Sequence, residues 1–456
     1  MNKIFWTTLC MAAIVVGLAS ETRAADQLTL NVSPVQTVLK ANEKGNTWVQ
    51  VEVVGIRQES TEQRAPVNLA IVLDQSGSME GEKITQAKKA AIDAVRQLEP
   101  NDIVSIVTYN NVVNVLVPAT RLTEVEQVIA KIRGIEADGG TALFAGVSKG
   151  VAEVRKFLDK EHVNRVILLS DGMANVGPSS PGELASLGES LVKENISVST
   201  FGLGLGYNED LMAGLASSSG GNHLFVEDTE VLVDAFRREF DDVMSVVAQE
   251  VDIEITIPEG IRPVRVLGND SDIAGQTILT RLAQVYSEQQ RYVLVEVEVP
   301  ASEAETKREL ATASVSYANM ATHQSDQLSG STKVTFSDRE SEVSASVDNT
   351  VMADVITLVS SEQTKLATQY LDDGDLEKCK TTLQSNFEIL SKHALLCPSE
   401  SERLKGLAED NKLRLLEVDR AEDRYSEDAI RARKNLRSYQ RENEQQQRTG
   451  RMQYYR

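Results

Sequence analysis

Val67-Asn68-Leu69-Ala70-Ile71-Val72-Leu73 runs almost without polar interruption into Asp74-Gln75-Ser76-Gly77-Ser78-Met79. A strand with one wet face alternates apolar and polar residues, so this continuous run reads as a strand covered on both faces. Such strands belong to parallel sheets with helices above and below. The downstream spacing agrees. Over 82–98, Ile84, Ala87, Ala91, Ala94, Val95 and Leu98 recur at helical intervals until Pro100 ends the pattern. Strands are then predicted at 103–109 and 112–117, helices at 123–133 and 143–158, a strand at 165–169, a helix at 182–194 and a strand at 196–203. A short helix near 210–218, a strand near 223–226 and a helix over 229–248 complete the unit. The expected fold is α/β, a doubly wound and mostly parallel sheet.

Open α/β sheets bind ligands at the carboxyl ends of their strands, which is where the polar stretch after Leu73 emerges. Two further loops should return to that edge. Asp138-Gly139-Gly140-Thr141 precedes the helix predicted from 143, and Ser170-Asp171-Gly172 follows the strand over 165–169. Asp74, Ser76, Ser78, Thr141 and Asp171 therefore supply carboxylate and hydroxyl oxygens to one place. Hard cations prefer oxygen ligands, and Mg²⁺ keeps several waters, so a mixed set of this kind suits it. Plainer roles exist for each residue. Ser76 and Ser78 could be turn hydroxyls, and Thr141 could cap a helix beginning at 142 or 143 while also binding metal. Asp74 and Asp171 do not directly precede a helix.

The five residues resemble the metal-ion-dependent adhesion site of the von Willebrand factor type A family. Asp74, Ser76 and Ser78 match its DxSxS motif, Thr141 and Asp171 match its two later positions, and the resemblance spans 66–248. It implies a non-enzymatic protein-binding module holding Mg²⁺, or Mn²⁺ or Ca²⁺. In that family the hydroxyls touch the metal, the carboxylates act directly or through water, and a protein partner's Asp or Glu fills the open position. Gln75, Gly77, Met79 and Gly140 would then lie at the partner contact. Within the family the sequence is most similar to bacterial secreted members and, more distantly, to inter-alpha-trypsin inhibitor heavy chains.

Catalytic motifs are missing from the sequence. There is no G-x-S-x-G elbow around Ser76, and His162, His223, His323 and His393 stand isolated. Gly202-Leu203-Gly204-Leu205-Gly206 lacks the Lys-Ser/Thr of a nucleotide loop and reads as a strand end. Two rival functions remain open: an envelope protein whose metal only stabilises the fold, and a metal-dependent hydrolase.

The chain has 456 residues and a formal net charge of -21, which argues against nucleic acid or an anionic membrane as the main partner. Lys3, the apolar run over 4–19 and Thr22-Arg23-Ala24 form a secretory signal over 1–24, so export to the periplasm or outside the cell is expected. No later stretch is apolar enough to span a membrane. The alternating segments over 28–32 and 47–56 place strands in 25–63. Six short strands over 249–347 read as a β-sandwich that these early strands complete, with the α/β domain inserted between them. A helical hairpin turning at Asp372-Asp373-Gly374-Asp375 occupies 350–415, and 416–456 reads as a charged helical or disordered tail. Cys379 and Cys397 are the cysteines beyond the signal, and a helix over 376–392 holds them about 20 Å apart. Pairing would require that helix to end early, since a disulfide needs Cα atoms within about 7 Å.

Overall fold

The computed structural model describes residues 26–57, 64–269 and 271–446; the expected signal over 1–24 lies outside them. The chain starts in a sandwich with β1 (Leu28–Pro34), β2 (Val38–Lys40) and β3 (Gly45–Gly55). It then enters the α/β domain through β4 (Val67–Asp74), α1 (Glu82–Gln97), β5 (Ile103–Tyr109), β6 (Val113–Arg121), α2 (Val125–Arg133) and α3 (Leu143–Val154). The domain closes with β7 (Val163–Ser170), α4 (Pro181–Lys193), β8 (Ile196–Leu203), α5 (Glu209–Ser218), β9 (His223–Val226) and α6 (Leu232–Met244).

Its sheet has the order β6-β5-β4-β7-β8-β9, parallel except for β6. Strand β4 is central and wholly buried, and alternate residues serve opposite cores. Leu69, Ile71 and Leu73 pack with α1, α2 and α6, while Ala70 and Val72 pack with α3, α4 and α5. The run is uniformly apolar because both faces are dry.

The return to the sandwich begins at β10 (Val246–Thr256) and continues through β11 (Arg262–Leu267), β12 (Ser271–Ala274), β13 (Thr277–Tyr286), β14 (Gln290–Val299), β15 (Lys307–Asn319) and β16 (Gln324–Ser337). One sheet is β1-β3-β14-β11 and the other β12-β13-β10-β15-β16-β2, so strands from before and after the α/β domain share both sheets. Three local expectations differ. The helix expected to reach 248 stops at Met244, because Val246, Val247 and Ala248 are buried as the first strand residues of β10. The strand expected over 333–336 runs from Gln324, since polar residues on its wet face still complete a ladder with β15. Strands β2 and β12, three and four residues long, carried no readable alternation.

After α7 (Glu340–Ala345) come α8 (Asn349–Asp373), α9 (Leu376–Leu396), α10 (Ser401–Arg420) and α11 (Glu427–Gln446). Gly374, at φ 84°, caps α8 in the left-handed region, and Asp375 caps α9 by accepting from Lys378 N at 3.1 Å. The charged segment expected to be solvated is packed as far as it is described. Ala429, Ala432 and Leu436 of α11 are buried against Ala367, Leu371 and Leu383. The helix between the cysteines continues to Leu396, and both thiols are free and buried in separate clusters. No helix of the described residues is long and apolar enough to cross a membrane.

The α/β domain and the sandwich share a buried polar joint. Arg165, fully buried, donates to Ser199 Oγ and to Tyr286 Oη, each at 3.0 Å, and lies 3.6 Å from Glu239. Glu239 also accepts from Asn222 Nδ2 at 2.7 Å. Removing the guanidinium strands the carboxylate in a dry interior, so Arg165→Met should cost about 3–5 kcal/mol of stability in chemical denaturation. The double variant Arg165→Met with Glu239→Leu should recover part of that loss.

Candidate functional site

The parallel register sets Leu73 beside Leu169, so Asp74 and Ser170 leave the sheet side by side. Ser170 Oγ donates to Asp74 Oδ2 at 2.6 Å, and Ser76 N donates to Asp74 Oδ1 at 2.8 Å. The carboxylate is fully buried with neutral partners. Burial pushes its pKa up, against the lowering effect of these hydrogen bonds, and nearby Asp171 adds to the rise.

From Asp74 the polar chain continues outward. Ser76 Oγ and Ser78 Oγ are 3.1 Å apart, and Ser78 Oγ donates to Asp171 Oδ1 at 2.7 Å. Lys83 Nζ pairs with Asp171 Oδ2 and also reaches Ser78 O at 3.3 Å. Thr141 enters from a third loop, its hydroxyl close to Gly172. A Cβ on Gly172 would stand 3.0 Å from Thr141 Oγ1 and 3.5 Å from Ser78 Oγ, so a side chain there would crowd the hydroxyls. Ser76, Ser78 and Asp171 are thus in direct side-chain contact, Asp74 is bonded to the Ser76 backbone, and Thr141 faces the same spot beside Gly172.

The third loop is fixed by backbone and carboxamide contacts. Gly77 N donates to Gly139 O at 2.9 Å, and Asp138 N donates to Gln75 O at 2.7 Å. Asn111 Oδ1 accepts from Gly140 N at 3.0 Å, and Asn175 Oδ1 accepts from Thr141 N at 2.8 Å. Helix α3 begins at Leu143 with Ala142 as its cap, so the Thr141 hydroxyl makes no cap bond. The capping role open to it in the sequence is not used.

Among the four residues expected at the partner face, Gly77 is exposed and Gln75 and Gly140 are half-buried. Met79 is a correction. It is 0% exposed and packs in the core beneath the loop, because the short turn over Gly77–Met79 aims it back at the sheet. Reading the sequence missed Lys83, Ser170, Asn111 and Asn175. Ser170 adjoins Asp171, and a lysine in the first turn of a helix opposes the helix dipole; both were usable signals.

The donor set fits a hard divalent ion. It combines two buried carboxylates and three hydroxyls, and among the described residues no cluster of three or more His, Cys, Asp or Glu offers a softer or more anionic alternative. His223, the histidine nearest a glycine-rich loop, is committed to Thr200 Oγ1 at 2.7 Å and Tyr207 Oη at 3.2 Å.

A mostly parallel sheet between two layers of helices, with three loops converging at its carboxyl edge, defines an open α/β domain with a candidate ion site. Residues 68–238 match the family model of the von Willebrand factor type A domain, so the chain contains a domain of that family. An uncharacterized protein of Synechocystis sp. is 24% identical over 73% of this chain and 80% of its own length. Inter-alpha-trypsin inhibitor heavy chain H4 of Bos taurus is 27% identical over 34% of this chain, and the match spans 18% of that protein. In three dimensions, a von Willebrand factor type A protein from Catenulispora acidiphila shares the fold with a TM-score of 0.67. That likeness covers 85% of this chain and 89% of the other at 15% identity.

A buried anion with neutral partners weakens the fold, whereas Asn in its place still accepts from Ser76 N and donates its Nδ2 to a reoriented Ser170 hydroxyl. In chelator, Asp74→Asn should melt no lower than the parent by calorimetry, whereas Asp74→Leu, which abandons Ser76 N and Ser170 Oγ, should melt several degrees lower.

Proposed function

We propose that this chain is an exported, non-enzymatic binding protein that uses a divalent cation at Asp74, Ser76, Ser78, Thr141 and Asp171 to engage an acidic residue of a partner protein. The observation that carries the reading is the meeting of five oxygen-bearing side chains from three loops, with Ser78 and Gly77 open to solvent. Bound there, the ion would supply a Lewis-acidic position for a carboxylate and offset repulsion between an acidic partner and a chain of charge -21.

The chain's own residues do the positioning. Ser170 and the Ser76 amide orient Asp74, Asn175 orients the Thr141 backbone, and the Gly77–Gly139 contact closes the loops around the hydroxyls. Mg²⁺ suits the set, with Mn²⁺ and Ca²⁺ as the other candidates. The signal-like segment over 1–24 supports placement in the periplasm or outside the cell. The experiment for that part is amino-terminal sequencing of the secreted chain, expected to begin near Ala25.

For the site, calorimetric titration of Mg²⁺, Mn²⁺ and Ca²⁺ into the folded protein should give one site. Ser78→Ala and Thr141→Val should each weaken it by on the order of tenfold or more. Capture of an acidic partner from a cell-envelope fraction should need the ion and vanish with Asp74→Ala. A large loss of stability with capture intact would favour a purely structural ion, and ion-dependent turnover of an ester or peptide would favour a hydrolase.

A further inference from the structure

We propose that Lys83 is a built-in competitor for the divalent cation, an ammonium group that holds Asp171 and must withdraw when the ion binds. The inference rests on reading Asp74, Ser76, Ser78, Thr141 and Asp171 as a cation site. Lys83 Nζ pairs with Asp171 Oδ2 while Oδ1 of the same carboxylate accepts the Ser78 hydroxyl, so the lysine neutralises a donor the ion would use. Its second contact, Ser78 O at 3.3 Å, belongs to the DxSxS loop itself. The ammonium therefore bridges two of the three loops, as a metal would.

Four further observations separate this pair from an ordinary surface bridge. The Asp171 side chain is 0% exposed, so water does not reach the carboxylate that Lys83 holds; among the described residues, no salt bridge reaches Asp74 at all. The Lys83 side chain is 33% exposed, which leaves the amine a route to water that the carboxylate lacks. Lys83 is also the second residue of α1, at the positive end of the helix dipole, where a lysine is disfavoured unless an anion holds it. The loop after β8 walls the other side: Gly204, at φ 69°, runs past the amine, and a Cβ there would lie 3.9 Å from Lys83 Cε.

An ammonium and a divalent ion sharing one carboxylate in a partly dry site repel each other. The ion's affinity is therefore reduced by the cost of moving Lys83 outward. In return the ion-free protein does not leave two bare carboxylates in its interior. The site becomes exchangeable and responsive to ion concentration, and Lys83 sets the threshold.

The test uses residues 25–456 in the parent, Lys83→Met and Asp74→Asn forms. Calorimetric titration with Mg²⁺ should show Lys83→Met binding at least tenfold tighter than the parent. Independently, acylation of Lys83, followed by mass spectrometry against the other lysines, should rise several-fold when Mg²⁺ is added to the parent and stay unchanged in Asp74→Asn. Equal or weaker Mg²⁺ binding by Lys83→Met overturns the proposal, as does Lys83 labelling that ignores Mg²⁺ in a parent that binds it. A folded parent that binds no divalent ion overturns the cation-site reading itself, and the role of Lys83 falls with it. If Lys83→Met does not fold, the labelling result in the parent decides alone.

Discussion

The parallel pairing of β4 with β7 is the constraint on which the site depends. Because Leu73 lies opposite Leu169, the next residue on each strand is polar and the two stand together, Asp74 taking the Ser170 hydroxyl. Asp171 follows one residue later and meets Ser78. A slip of one residue would either draw Asp74 into a core position or push Leu73 out to the sheet edge, and the burial of the strand between two cores opposes both. Packing on both faces of the sheet thus fixes the register, and the register fixes the oxygens.

Elements whose signal is packing were legible in the sequence, and elements whose signal is pairing were not. The run over 67–73, the α1 spacing and the parallel strand order all follow from burial on two faces, which composition records directly. The five candidate donors were legible because Asp74 and Asp171 follow buried runs by one or two residues, Ser76 and Ser78 continue the polar turn after Asp74, and Thr141 stands two residues before a helix. Strand β16 was read over four residues instead of fourteen because Gln324 to Ser331 is mostly polar and is held by its ladder with β15. Met79 misled for a related reason. Its position in the polar loop suggested exposure, but a single tight turn returned it to the core, and a turn's direction is not written in local composition.

The charged, helical end of the chain illustrates the same limit at larger scale. Arginine and lysine on α11 look like solvated charge, yet Arg437 pairs with Asp210 and Asp372, and Arg431 pairs with Glu227. Lys434 is 4% exposed, donates to Tyr207 O at 3.2 Å, and lies 3.8 Å above the Tyr207 ring. Burial draws its pKa down, with Glu209 and Asp210 opposing the shift. Charges whose partners lie some 200 residues away carry no local pattern, so a sequence window reads them as tail.

That docking reaches toward the proposed cation site. Tyr207 stands in the short loop after β8, and Gly202 is bare because any side chain there would collide with the Tyr207 ring. In the same loop Gly206 lies against the Asp171 carbonyl and Gly204 passes Lys83. One five-residue loop is therefore held by the carboxyl-terminal helix on one side and runs past the Asp171 backbone and the Lys83 side chain on the other. Helix α8 is anchored in turn to the sandwich, where Asp354 accepts from Gln50 at 2.7 Å and from Arg403 at 2.6 Å. The sandwich and helices do more than flank the α/β domain. They fix the edge from which Asp171 and Lys83 are presented, while the β4 loop, held by its own strand register, remains open to solvent.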